Sequence, residues 1–278
     1  MSIKSFDELF AHLRAKKICK RVAVICPDDA CTQESLRRAK EEGFIEPLPF
    51  HDADPATAAA RAVEAVREGR ADILMKGFIN SAPFLHAIID KEKGILPAGR
   101  VLTHIAVAEI QGYPRLLFFS DPAVIPFPTQ EQRETQVDYL AHTCRRFGIE
   151  EPRIALIHCQ EKADTRHFPY TAGYADIISK AQAGEYGRCI VDGPLDVKTA
   201  CSPEALAEKH IPSPIAGKAD ALVMPDIEAG NVFYKTLTLF TQTRTAGLLQ
   251  GTDVPVVMTS RADTVDSKYL SLCTACLL

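Results

Sequence analysis

The strongest constraint on the fold is a rhythm that runs the length of the chain. A short aliphatic run is followed by a Gly, Pro or acidic break, and then by a helix-like stretch. The runs are Val22–Cys26, Ala71–Lys76, Leu116–Phe119, Ile154–Ile157, Cys189–Val191, Ala221–Met224 and Val254–Met258. They are continuous and do not alternate apolar with polar, which is how strands covered on both faces read. Helical stretches lie between them: Pro55–Glu68, Gln130–Phe147, Thr171–Gly184, Pro203–Lys209 and Asn231–Thr243. Strand then helix, repeated, predicts an α/β protein with largely parallel sheets. The 278 residues suit about two domains at roughly 150 residues each. No low-complexity linker separates them, so ordinary strand connections must join the two and one is free to be discontinuous.

Composition removes several classes of function. A formal net charge of −4 gives no electrostatic case for nucleic acid as a partner. No apolar run reaches the roughly 18 residues of a membrane span, and the Met1–Asp7 segment lacks a signal-peptide core. The expectation is no membrane partner and a cytoplasmic location. Nine cysteines, odd in number and scattered, make no disulfide framework. The pair in Cys273-Thr274-Ala275-Cys276 falls with Val265, Tyr269 and Leu272 on one helical stripe, so it reads as core and not as a zinc or redox site.

In open α/β sheets ligands sit beyond the C-terminal ends of strands. The polar residues found there are Asp28 and Asp29; Lys76, Gly77 and Asn80; Ser120 and Asp121; Glu161 and Lys162; Asp192; Asp226, Glu228 and Asn231; and Ser260, Arg261, Asp263 and Asp266. No glycine-rich dinucleotide loop, P-loop or nucleophile elbow is present, and no Cys/His set has metal-ligand spacing.

The segment Met258–Asp266 is the most pointed. Ser260 reads as the N-cap of the last helix, with Asp263 completing a capping box. That places Arg261 in the first turn, where a cation opposes the helix dipole. Arg261 makes sense there if an anion lies beside it, shared with backbone N–H groups. Lys76–Ser81 joins a cation, a permissive Gly and small polar groups, a plausible phosphate or carboxylate cradle. Pro225–Asn231 turns a strand into a helix through acidic residues that serve a helix start as well as a site.

At these loops the sequence resembles the phosphate acetyl/butyryltransferase family. The blocks that carry the likeness are Ile3–Phe6, ADILMKG at 71–77, DKEKG at 90–94, Thr103–Val107, CIVDGPL at 189–195, PDIEAGNVFYK at 225–235 and VVMTSRAD at 256–263. They run in order from end to end.

The resemblance implies reversible transfer of a short acyl group, butyryl preferred to acetyl, between coenzyme A and inorganic phosphate. No permanently bound cofactor and no metal are implied. It further implies a two-domain isocitrate/isopropylmalate-dehydrogenase-like fold with an interdomain cleft and a homodimer or higher homo-oligomer. The domains would be residues 1–100 plus 249–278, and residues 101–248. An acyl phosphate kinase would be the metabolic partner.

By the same likeness, Arg261 would hold phosphate and stabilise the charge of the tetrahedral intermediate. Ser260 would hydrogen-bond the thioester region, and either Asp266 or Asp263 would act as base toward the thiol. Lys76, Gly77, Asn80, His104, Glu228 and Asn231 would line the substrates. Three departures stand out. His86 occupies a position where such enzymes carry Arg, Ile125 one where they carry Asn, and only 27 residues separate Gly43 from Ala71, where relatives carry an additional strand–helix unit. They keep open a second reading, a paralogue that binds coenzyme A or acyl phosphate without turnover. A metal- and nicotinamide-dependent dehydrogenase on the same fold would need a D-x-x-x-D cluster, which is not evident.

Overall fold

A computed structural model describes residues 2–260 and 263–278. The chain runs α1 (Phe6–Lys16), β1 (Lys20–Ile25), α2 (Ala30–Glu41), β2 (Ile45–Phe50), α3 (Pro55–Arg67), β3 (Ile73–Lys76) and α4 (Ser81–Ile89). It continues with β4 (Thr103–Glu109), β5 (Leu117–Ser120), α5 (Gln130–Arg146), β6 (Arg153–Ile157), α6 (Tyr174–Gln182), β7 (Ile190–Leu195), α7 (Val197–Cys201) and α8 (Pro203–Glu208). β8 (Ala221–Val223), α9 (Ile227–Phe240), β9 (Arg244–Gln250), β10 (Val256–Val257) and α10 (Val265–Leu277) complete it. No helix among the described residues is long and apolar enough to cross a membrane, and all nine cysteines are free.

Two compact units divide the chain: Ser5–Leu102 with Arg244–Leu278, and Met1–Lys4 with Thr103–Thr243. In the first, β2, β1, β3 and β10 are parallel neighbours in that order, and β9 closes the set antiparallel to β10. In the second, β5, β8, β6 and β7 are parallel neighbours, and β4 pairs antiparallel with β5. The expected largely parallel α/β architecture is present in both.

The central strands explain the unbroken runs. Val22–Ile25, Ile73–Met75 and Val256–Val257 are fully buried. Three strands carry no such clean run. β2 contains Pro47 and Pro49 and lies beside β1 alone, the edge position where a missing N–H costs a sheet nothing. β4 begins with Thr103 and His104, and β9 is broken by Gly247, whose N–H donates to Ser271 Oγ at 2.9 Å.

The helix α10 is more deeply buried than a single stripe. Every residue from Ser267 to Leu277 is buried, with α1, α2, β9 and β10 packed around it. Cys273 and Cys276 are core residues, and burial pushes the Cys276 thiol up to about 12. One cation shares that core. Lys268 Nζ donates to Thr32 Oγ1 at 2.8 Å and lies 3.1 Å from Asp29 Oδ1.

Candidate active site

In the first unit, β1, β3 and β10 lie side by side and parallel, so their C-terminal loops emerge at one edge. Ile25 is level with Lys76 across the β1–β3 pair, and Val257 with Met75 across β3–β10. Register alone therefore gathers Asp29, Lys76–Gly77 and Thr259–Ser260. These residues, with Phe78 and Lys268, line a polar recess of about 40 Å³. By that measure, at roughly 10–15 Å³ per water, it holds a few waters or one compact oxyanion.

Gly77 is what lets the first two loops close on each other. Its N–H donates to Ile25 O at 2.9 Å, and the Phe78 N–H donates to Cys26 O at 2.6 Å. A Cβ on Gly77 would lie 2.2 Å from Ile25 O and 2.5 Å from Cys26 O. The third loop is tied locally: the Ser260 N–H donates to Asp263 Oδ2 at 2.6 Å, and the Asp263 N–H to Ser260 O at 3.1 Å.

The expected capping box is not formed. Thr264 is the N-cap of α10 and accepts the Ser267 N–H at 3.1 Å, so the helix starts at Val265 and the dipole argument for Arg261 falls away. The Asp263 carboxylate does accept the Ser260 N–H as such a box requires, but α10 takes its cap from Thr264, itself a good cap with its own N3 amide. Thr264→Ala is expected to cost about 1 kcal/mol, read as a lowered thermal midpoint. Ser260→Ala should leave that midpoint in place.

Of the remaining expected residues, Arg261 lies outside the described residues. Asp266 is 3.6 Å from an Arg38 guanidinium nitrogen and 3.7 Å from one of Arg244 and does not line the recess. Asn80, at the N-cap position of α4, lines a neighbouring hollow of about 280 Å³ with Asp54 and Pro83. Phe78, about half exposed, borders both. His86 lies in α4.

His104, Glu228 and Asn231 belong to the second unit, and two of them act on one buried carboxylate and its loop. Asp121 accepts hydrogen bonds from the Thr103 hydroxyl (2.7 Å), the His104 N–H (3.1 Å) and the N–H groups of Ala123, Val124 and Ile125. Asn231 Nδ2 donates to Pro122 O at 3.1 Å, and a Cβ on Gly230 would meet Asp121 O at 2.6 Å. Asp226 caps α9 by accepting the Ala229 N–H at 2.8 Å. Much of the PDIEAGN block is thus accounted for by docking α9 onto the Asp121 loop. Glu228 is exposed in the first turn of α9, and the Ile125 side chain is buried.

Sequence reasoning missed three features. Lys268 and Thr259 in the recess are the first two. Burial opposes ionisation of Asp29, yet the hydroxyl and N–H of Thr32 with the Lys268 ammonium outweigh it and hold the carboxyl below its ordinary value. The third is an apolar pocket of about 490 Å³ within the second unit, walled by Phe168, Met224, Val232 and Phe233. There His158 Nδ1 lies 2.8 Å from the Tyr170 hydroxyl, and burial holds the imidazole below its ordinary value. The pocket suits an apolar group with a polar end.

Comparison with known proteins decides the family. Residues 25–276 match the model of the family described as phosphate acetyl/butaryl transferase. The chain belongs to this family. A phosphate butyryltransferase of Clostridium acetobutylicum is 36% identical over 99% of this chain and 98% of its own length. A phosphate acetyltransferase of Thermotoga maritima is 34% identical over 91% and 93%. The crystal structure of a branched-chain phosphotransacylase from Enterococcus faecalis V583 superposes with a TM-score of 0.84 at 30% identity, covering 92% of this chain and 97% of that one. Membership in the phosphate acetyl/butaryl transferase family accords with the resemblance read from the MKG, PDIEAGN and TSRAD blocks.

Proposed function

We propose that the protein transfers a short acyl group reversibly between coenzyme A and inorganic phosphate, giving an acyl phosphate, with butyryl preferred to acetyl. The carrying observation is family membership over residues 25–276, joined to a recess where Lys76, Lys268 and Ser260 meet. The butyryl preference rests on the name of the Clostridium relative, which matches 99% of the chain.

In the forward direction a phosphate oxygen attacks the thioester carbon, the tetrahedral intermediate forms, and the C–S bond breaks as coenzyme A leaves. Attack by phosphate needs orientation more than a strong base. Ser260 is assigned to the thioester region and Arg261 to the phosphate and the developing oxyanion. Asp263 is preferred to Asp266 as the group that returns a proton to the sulfur, and takes it from the thiol in reverse, because Asp263 is bonded to Ser260 while Asp266 faces two arginines. Lys76, Gly77 and Asn80 are assigned to the substrates, with His104, Glu228 and Asn231 as further candidates. The dehydrogenase-like two-domain arrangement, the homodimer, the cytoplasmic address and an acyl phosphate kinase as metabolic partner belong to the same reading.

The test is phosphate-dependent release of free thiol from acetyl-, propionyl-, butyryl- and octanoyl-CoA, with EDTA present. Turnover peaking at butyryl-CoA and unaffected by EDTA is the expected outcome, each buried methylene being worth about 0.8 kcal/mol. No thiol release from folded protein with any chain length would replace the transferase by the binding-only reading.

A further inference from the structure

The recess holds two features that the assigned roles of Ser260 and Arg261 do not use. Thr259 is buried, and its Oγ1 has no hydrogen-bond partner among the described residues. A buried hydroxyl without a partner is uncommon, because its desolvation goes uncompensated. Lys268 is the second. Its side chain is 4% exposed, and it is the one charged residue of the buried stretch Ser267–Leu277. Asp29 and the Thr32 hydroxyl engage two of the three donors that an ammonium carries, leaving one for the recess that Lys268 lines. Thr32 in turn gives its own hydroxyl proton to Asp29 Oδ2 at 2.6 Å.

Lys76 lines the recess beside Lys268 and Asp29. An ammonium donor and a spare hydroxyl, both buried, in a volume of about 40 Å³, fit a small, doubly negative tetrahedral oxyanion better than an acyl chain or a flat ring. Ordinary core packing explains neither feature. A Val at position 259 and a Met at 268 would fill the same space without desolvating a charge or an unpaired hydroxyl.

We propose that Thr259 and Lys268, with Lys76, are ligands of the inorganic phosphate substrate, Asp29 and Thr32 serving to hold the Lys268 ammonium in place. The proposal rests on the transferase reading for its ligand, and adds residues that the Ser-Arg motif does not contain. The Lys268 ammonium is anchored from behind by Asp29, so it meets the anion already oriented and with its rotamer entropy spent on folding. Thr259 supplies a neutral donor on the adjacent strand end.

Thr259→Val and the pair Asp29→Asn/Lys268→Met test it. The pair removes both charges together, since Lys268→Met alone would strand a buried carboxylate and destabilise the fold for that reason. Thr259→Val deletes only a hydroxyl that has no partner, so its thermal midpoint without phosphate should equal or exceed that of the parent.

The expected result is a KM for phosphate raised about tenfold by Thr259→Val and about a hundredfold by the pair, with KM for butyryl-CoA unchanged. Inorganic phosphate alone should raise the thermal midpoint of the parent, since it binds the folded state, and this rise should be lost in both variants. Variants that keep the parent's phosphate KM and phosphate protection would overturn the proposal, as would a rise in KM for butyryl-CoA instead, which would point to a phosphate of coenzyme A. The thermal arm needs no turnover. Phosphate protection lost in the variants of a protein without transferase activity would retain the anion site and remove the transferase reading. Turnover with an unchanged phosphate KM would do the reverse.

Discussion

Gly77→Ala is expected to destabilise the first unit by about 3–5 kcal/mol, adding the strain of overpacking to two weakened backbone hydrogen bonds, and to lower transfer activity about a hundredfold in whatever protein folds. The new Cβ would stand 2.2 Å from Ile25 O and 2.5 Å from Cys26 O. Both contacts are backbone, so no flexible side chain can yield. The β1 and β3 loops must part, and the bonds from Gly77 N–H and Phe78 N–H to β1 carbonyls stretch as they do. Those loops carry Asp29 and Lys76, and a displacement of about 1 Å at positioning groups costs on the order of a hundredfold in rate. Urea unfolding gives the first number and butyryl-CoA turnover the second. A variant with the parent's urea midpoint would show that the close approach of the two loops is not required.

How far the sequence disclosed this arrangement depended on whether a residue's environment is set by its neighbours in the chain. The fully buried strands were legible because both faces impose the same apolar demand. β2 was not, since Pro47 and Pro49 read as breakers until the strand is known to lie at an edge. The TSRAD loop was legible as a place of interest, but its capping was not. Ser260 and Thr264 are both sound caps in isolation, and Asp263 bonds the Ser260 N–H as a capping box would, yet α10 takes its cap from Thr264, four residues on.

Asp121 and Asn231 read as ligand candidates because polar residues after strands usually have that potential. Five donors converging on Asp121 come from residues 103 to 125, a convergence that no local window displays. Lys268 is the clearest omission. In sequence it is one charge among the small polar residues of a final helix, and such a lysine is ordinarily solvated. The available signal was that α10 carries apolar residues beyond one stripe, which leaves no dry-to-wet boundary for a lysine to reach. A partner more than two hundred residues away, Asp29, completes the explanation.

Arg261→Ala is expected to lower kcat for phosphate-dependent thiol release by about a hundredfold to a thousandfold, the range for removing one donor from a developing oxyanion. Thr264 is the N-cap and α10 starts at Val265, so the substitution leaves the cap and first turn of that helix unchanged, and the thermal midpoint should stay within about 1 °C of the parent. Arg261→Lys separates charge from geometry. A guanidinium presents a planar fork that meets two phosphate oxygens at once, whereas an ammonium is a point charge, so Lys should recover only part of the loss. Lys76 and Lys268 already supply cationic charge at the recess. If field strength alone were needed, Arg261→Ala would be partly masked by them, kcat would fall less than about tenfold, and phosphate KM would carry the effect instead. A fall in kcat with phosphate KM little changed would mean that Arg261 acts on the intermediate and the two lysines on the ground-state anion. Unchanged kcat and KM together would remove Arg261 from the mechanism altogether.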